Sequence, residues 1–108
     1  MNFYRYTHDC IKSNGAKIRI EICFKGEGIC GEPKWIINNV WRCSKNKKTN
    51  KSIKDELSRK FRYMGLSNSE SMDLLRQGLF EYAEKDNVIN ALNAAWLNMQ
   101  PTLSDVLN

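Results

Sequence analysis

Lys12-Ser13-Asn14-Gly15-Ala16-Lys17-Ile18-Arg19-Ile20-Glu21-Ile22-Cys23-Phe24 is the stretch that decides the fold. From Lys17 onward apolar and polar residues alternate with the period of two that sorts side chains onto the two faces of a strand. Asn14-Gly15 ahead of it is a type I′ turn signal, because both residues tolerate the positive φ which that turn needs. The sequence therefore predicts a β-hairpin closed by a two-residue turn, with Ile18, Ile20, Ile22 and Phe24 on one face. The β-formers from Phe3 to Lys12 supply its first strand. In that register Cys10 lies opposite roughly residue 19 and Cys23 opposite roughly residue 6, about 17 Å apart, which excludes a Cys10–Cys23 disulfide.

Downstream, Gly26, Gly28, Gly31 and Pro33 break the chain into a loop spanning Lys25 to Pro33. Its glycines suggest a phosphate cradle, but two glutamates and the lack of a following Lys-Ser/Thr favour a plain connection. Trp35 to Cys43 returns to strand character, with Trp35, Ile37, Asn39, Trp41 and Cys43 expected on one face and Ile36, Asn38, Val40 and Arg42 on the other. Residues 1–43 thus read as a three-stranded antiparallel β-meander. Residues 44–52 read as a basic loop.

Beyond the loop the period changes to that of a helix. Ser52 with Asp55 forms an acidic variant of the capping box, and Ile53, Leu57, Phe61 and Met64 make a stripe that ends at Gly65. Ser67 with Glu70 starts a second helix that buries Met72, Leu75, Leu79 and Tyr82 or Ala83, and Gly78 within it implies a close helix contact. Asp86 or Asn87 caps a third, from Val88 through Leu92 and Trp96 to Met99, which Pro101 stops. The expected fold is a single α+β domain over 1–108, with the meander packed on one face against two to three helices in 53–100, followed by a tail over 101–108. At 108 residues the chain is one domain's worth.

Charge divides the chain unevenly. Lys and Arg outnumber Asp and Glu seven to four over residues 1–43 and eight to two over 44–62, whereas acids lead six to two over 63–108. A basic belt on an acidic-ended domain attracts phosphate backbones or acidic protein surfaces. Lys45, Lys47, Lys48, Lys51, Arg59 and Arg62 are the candidate partner-binding residues. Tyr4, Tyr6 and His8 share a face of the first strand and form a second candidate surface, on the open side of the sheet; the competing reading is that the small core needs those rings.

Signals for chemistry are sparse. The cysteines at 10, 23, 30 and 43 lack the paired spacing of zinc sites, and a site made of His8, Cys10 and two distant cysteines is the minor alternative to buried thiols. His8 beside Cys10 is the nearest approach to an activated nucleophile, and no serine elbow or metalloprotease motif is present. The helix pair around Gly65 invites a helix-turn-helix reading. Bulky Phe61 four residues before the glycine and an acidic second helix argue against it. No run is long and apolar enough for a membrane span, and the start Met1-Asn2-Phe3-Tyr4-Arg5 has no apolar leader core, so a cytoplasmic protein is expected. We expect no cofactor, no metal and no catalytic residue. The function that fits is that of a small non-enzymatic binding protein acting on a macromolecular protein partner, as phage or mobile-element accessory and anti-defence inhibitors do, a source with which the Asn, Lys and Ile usage is compatible. A basic nucleic-acid-binding regulatory module, for DNA or RNA, is the alternative.

Overall fold

The structure, a computed structural model, describes residues 2–26, 34–45 and 49–107, with side chains described for 4–24, 35–45 and 49–98. The loop expected to begin at Lys25 begins later, since Lys25 and Gly26 still pair in the sheet; residues 27–33, with Cys30, and 46–48, with Lys47 and Lys48, lie outside the described residues. Strand β1 (Asn2–Ile11) and strand β2 (Lys17–Gly26) form the expected antiparallel hairpin. Its turn is not the expected one. Gly15 has φ +87°, Asn14 does not have positive φ, the Gly15 N–H reaches the Lys12 carbonyl at 2.9 Å, and the Lys12 N–H reaches Ala16 at 2.9 Å. This is a three-residue loop with glycine alone in the left-handed region, and the Asn14 side chain braces it by accepting from the Ala16 N–H at 3.0 Å.

That one extra loop residue shifts the pairing by one. Cys10 lies opposite Ile18 and Cys23 opposite Arg5, and Tyr4, Tyr6 and His8 lie opposite Phe24, Ile22 and Ile20. A slip of one residue turns every side chain of a strand to the other face. The two tyrosines and His8 therefore share the isoleucine face, and Arg5, Thr7 and Asp9 take the opposite one. Gly15→Val is expected to cost about 1 to 2 kcal/mol, since a β-branched residue resists this φ, although nothing crowds the Cβ position. Chemical denaturation checks it.

Strand β3 (Lys34–Arg42) pairs antiparallel with β2, and a two-residue strand β4 (Lys51–Ser52) pairs with β3, so the sheet has four strands in the order β1-β2-β3-β4 rather than three. The register shifts at Glu21/Ile22, where Asn39 faces Glu21 and Ile37 faces Ile22. This bulge breaks the alternation expected for β3. Trp35, Ile37 and Val40 face inward, while Asn39 and Trp41 face outward with Glu21 and Arg19.

Three helices follow: α1 (Ile53–Tyr63), α2 (Asn68–Ala83) and α3 (Lys85–Leu107). Ser52 caps α1 as expected, Met64 and Gly65 (φ +77°) end it, and Ser67 with Glu70 makes a complete capping box for α2. The core joins Ile18, Ile20, Ile22 and Val40 of the sheet to Ile53, Leu75, Leu79, Ala83, Val88, Ala91 and Ala95 of the helices. Gly78 marks the expected close contact, since a Cβ there would stand 2.9 Å from a methyl of Leu57 on α1.

Met72, expected inside, is 52% exposed; the stripe through Leu75, Leu79 and Ala83 leaves it at the margin. On α3 the buried line is Val88, Ala91 and Ala95 rather than Val88, Leu92 and Trp96, because small side chains let the helix lie close on the hairpin. Trp96 is displaced to the side, with its ring edge-on to Trp35 at 6.3 Å. Nor does α3 begin at Asp86 or Asn87. It starts directly after Glu84, whose φ of +76° makes the turn and whose carboxylate holds Ser13, accepting from its N–H at 2.8 Å and from its hydroxyl. Those bonds hold the Glu84 carboxyl below the usual carboxylate range. Pro101 does not stop α3, which runs on to Leu107; proline forfeits one backbone bond and the ladder resumes beyond it. No helix among the described residues is long and apolar enough to cross a membrane.

Candidate binding surface

The basic loop is closed at its base by side chains. The Ser44 N–H donates to Asn50 Oδ1 at 3.1 Å, and the Ser44 and Thr49 hydroxyls bond each other. Lys45 and Lys51 stand exposed at its two ends, and Lys51 pairs with Arg42 across the β3–β4 ladder. One residue on, Ser52 turns the chain into α1. The apolar stripe Ile53, Leu57, Phe61 faces the core, so Asp55, Ser58, Arg59 and Arg62 share the outward side. Those four line a shallow depression of about 280 Å³. The structure thus brings Arg59 and Arg62 together, one turn apart, with Lys51 before the first turn of the same helix.

Three arginines are ion-paired within the fold. Arg5 lies 3.5 Å from Glu21, Arg19 lies 2.7 Å from Asp9, and Arg42 lies 2.9 Å from Glu56. Lys45, Lys51, Arg59 and Arg62 are exposed and have no ion pair among the described residues.

The second surface does not stand where the expectation put it. Tyr6 packs against the core, the Tyr4 hydroxyl donates to Asn98 Oδ1 on α3, and His8 is half-buried on the same helix-covered side. The rings of Tyr4 and Tyr6 serve the packing of α3, and burial pushes the Tyr4 phenol up.

The open face instead carries residues that sequence reasoning missed. Asp9, Arg19 and Trp41 form a row across three strands, and Thr7, Arg19, Trp41 and Asn50 line a depression of about 250 Å³. A second hollow of about 360 Å³, bounded by Asp9, Cys10, Lys17, Arg19, Cys43 and Asn50 among others, adjoins it through Arg19 and Asn50. A regular alternation read through Asn38 and Asn39 placed Trp41 with Trp35. The Asn-Asn pair next to strand formers is the signal for the bulge, since asparagine is depleted in regular strands.

Glu21 is nearly buried on this side, its side chain 8% exposed, and it is fully occupied: Asn38 Nδ2 donates to Oε1 while Arg5 lies beside Oε2. Lys54 Nζ in turn donates to Asn38 Oδ1 at 3.4 Å. A carboxylate so paired is a structural anchor. Burial, joined by the nearby Asp9 and Glu21 charges respectively, pushes the Cys10 and Cys23 thiols up, away from the thiolate a nucleophile or metal ligand needs. Cys10 and Cys43 border one hollow but sit on β1 and at the end of β3 with β2 between them, beyond the reach of a disulfide between fixed strands. Among the described residues no group of three or more His, Cys, Asp or Glu side chains is placed to hold a metal ion.

No protein-family model, no curated protein sequence and no solved structure matches this chain.

Proposed function

We propose that this chain is a non-enzymatic binding module that sets its basic loop and the outward side of α1 against an acidic patch on a protein partner, occluding it as a small accessory or inhibitor protein of the phage and mobile-element kind does. The observation that carries this reading is the exposed pair Arg59 and Arg62 on the outward side of α1, with Lys45 and Lys51 exposed at the ends of the loop before it. Arg5, Arg19 and Arg42 are ion-paired within the fold, whereas Lys45, Lys51, Arg59 and Arg62 are exposed and make no ion pair among the described residues, Asp55 lying in the same depression as Arg59 and Arg62 without pairing with either. Charges left in that state steer association and contribute little to folding. The raised thiols and the occupied Glu21 support a role in contact rather than in catalysis.

The test begins with capture of partners from lysate with and without nuclease treatment, followed by binding of the recovered protein to wild type and to the variant with Lys47, Lys48 and Lys51 replaced by glutamate. The expected result is nuclease-resistant capture, with the triple variant losing several kcal/mol of affinity at an almost unchanged melting temperature. Wild-type affinity in the triple variant would reduce the belt to a solvated face. Binding to random oligonucleotides that falls steeply with salt would transfer the surface to nucleic acid, because phosphate contacts release counterions.

A further inference from the structure

The two edges of the sheet are finished differently. On one side β4 is two residues long and leads at once into α1; on the other, β1 presents a ten-residue edge. Which backbone groups of β1 point outward follows from the turn. The Lys12 N–H bonds Ala16, and antiparallel pairs alternate between bonded and non-bonded, so Cys10, His8, Tyr6 and Tyr4 bond toward β2. The odd-numbered residues from Arg5 to Ile11 therefore turn their N–H and C=O away from the sheet. Two bonds agree: the Lys17 carbonyl accepts from Cys43 on the β3 side, and the Ile11 carbonyl accepts from Asn87 Nδ2 at 3.3 Å.

We propose that two copies of this chain join edge to edge through β1, antiparallel about a twofold axis at Thr7, in one continuous eight-stranded sheet. Only odd-to-odd pairings match outward donors to outward acceptors. Among these, the register centred on Thr7 sets Arg5 opposite the partner's Asp9, and Asp9 opposite the partner's Arg5. Registers centred on residue 5 or 9 bring Arg5 onto Arg5 or Asp9 onto Asp9, and those centred on 6 or 8 set each charge opposite an uncharged residue. In the chosen register the signs alternate across the joint, because Asp9 already pairs with Arg19 and Arg5 with Glu21 in each copy. The same twofold lays the two α3 helices side by side. Asn87 and Asn98 mark the flank of α3 that looks toward β1, and Ala94 shares it by helical spacing, a small residue where two helices must pass closely. The joint lies at the sheet edge remote from α1, so it stands or falls independently of the proposed binding surface.

Sedimentation of the full chain over rising concentration should show a species of twice the 12.6 kDa chain mass. Thr7→Pro removes the N–H at the axis, which points away from β2, and should leave a monomer. Should proline impair folding, Thr7→Lys serves: it faces Glu21 within the chain but sets two lysines against each other at the axis, and should raise the dimer dissociation constant about tenfold or more. Amide exchange at Arg5, Thr7 and Asp9 should slow with protein concentration in the wild type. A chain that stays monomeric at its solubility limit, or a dimer indifferent to Thr7→Lys with concentration-independent exchange at those amides, would overturn the proposal.

Discussion

Ile20→Ala is expected to destabilise the domain by about 3 kcal/mol and to lower its melting temperature by roughly 10 to 20 °C. Ile20 is fully buried at the middle of β2, opposite Val40 on one side and His8 on the other, on the sheet face that α3 covers. Removing its three outer carbons costs their transfer from water and leaves a hollow that sheet and helices cannot both close. The neighbouring isoleucine on the opposite face of the hairpin gives the contrast. Ile11 is 59% exposed, and Ile11→Ala should change stability by no more than about 0.5 kcal/mol. Urea unfolding of both variants at a common slope measures the pair. Equal losses would mean that the hairpin register differs from the one described.

Asn39→Ala comes next, with an expected loss of about 2 to 4 kcal/mol. Asn39 is 9% exposed, and its Oδ1 accepts from the Lys54 N–H at 3.2 Å and from the Val40 N–H at 2.7 Å, while its Nδ2 donates to the Ser52 hydroxyl at 3.0 Å. The Ser52 hydroxyl in turn accepts from the Asp55 N–H at 3.2 Å. Two of the four unpaired N–H groups at the start of α1 are thus served by side chains of β3 and β4, so one asparagine locks the sheet to its first helix. Alanine strands the Lys54 and Val40 N–H donors and breaks the lock. Asn39→Asp keeps the acceptor, loses only the donation to Ser52, and should cost about half as much or less. Thermal melts of the two variants check the order, and a milder effect for alanine than for aspartate would refute the lock.

Much of this was legible in the chain. The helix starts at Ser52 and Ser67 announced themselves because capping is a local bond between residues three apart, and Gly65 because a left-handed residue there ends a helix. The α+β architecture followed from the change of period at Ile53. What the sequence concealed were features set by non-local choices. Asn14-Gly15 fits a two-residue turn and a three-residue turn alike, and packing of α3 against the rings of Tyr4 and Tyr6 accompanies the longer one. That choice moved the second candidate surface from open to covered. The bulge at Asn38-Asn39 likewise reassigned Trp41. Alanines 91 and 95 carry little hydrophobic signal, yet closeness of approach rather than side-chain size decides which face of α3 is inside. Of the six candidate contact residues, Lys45, Lys51, Arg59 and Arg62 are exposed as charge patterning implies.

The clasp between Glu84 and Ser13 spans 71 positions of the chain, and it bears on how the protein is made. At about 5 to 20 residues per second, a ribosome needs roughly 4 to 14 s to travel from one to the other. During that interval the N-terminal hairpin has no α3 to cover Ile18, Ile20 and Ile22, and its tyrosines have nothing to dock against. Nascent chains arrested before Lys85 should therefore engage holdase chaperones and be cut readily by proteases, and protection should arrive abruptly once the last helix clears the exit tunnel rather than accrue strand by strand.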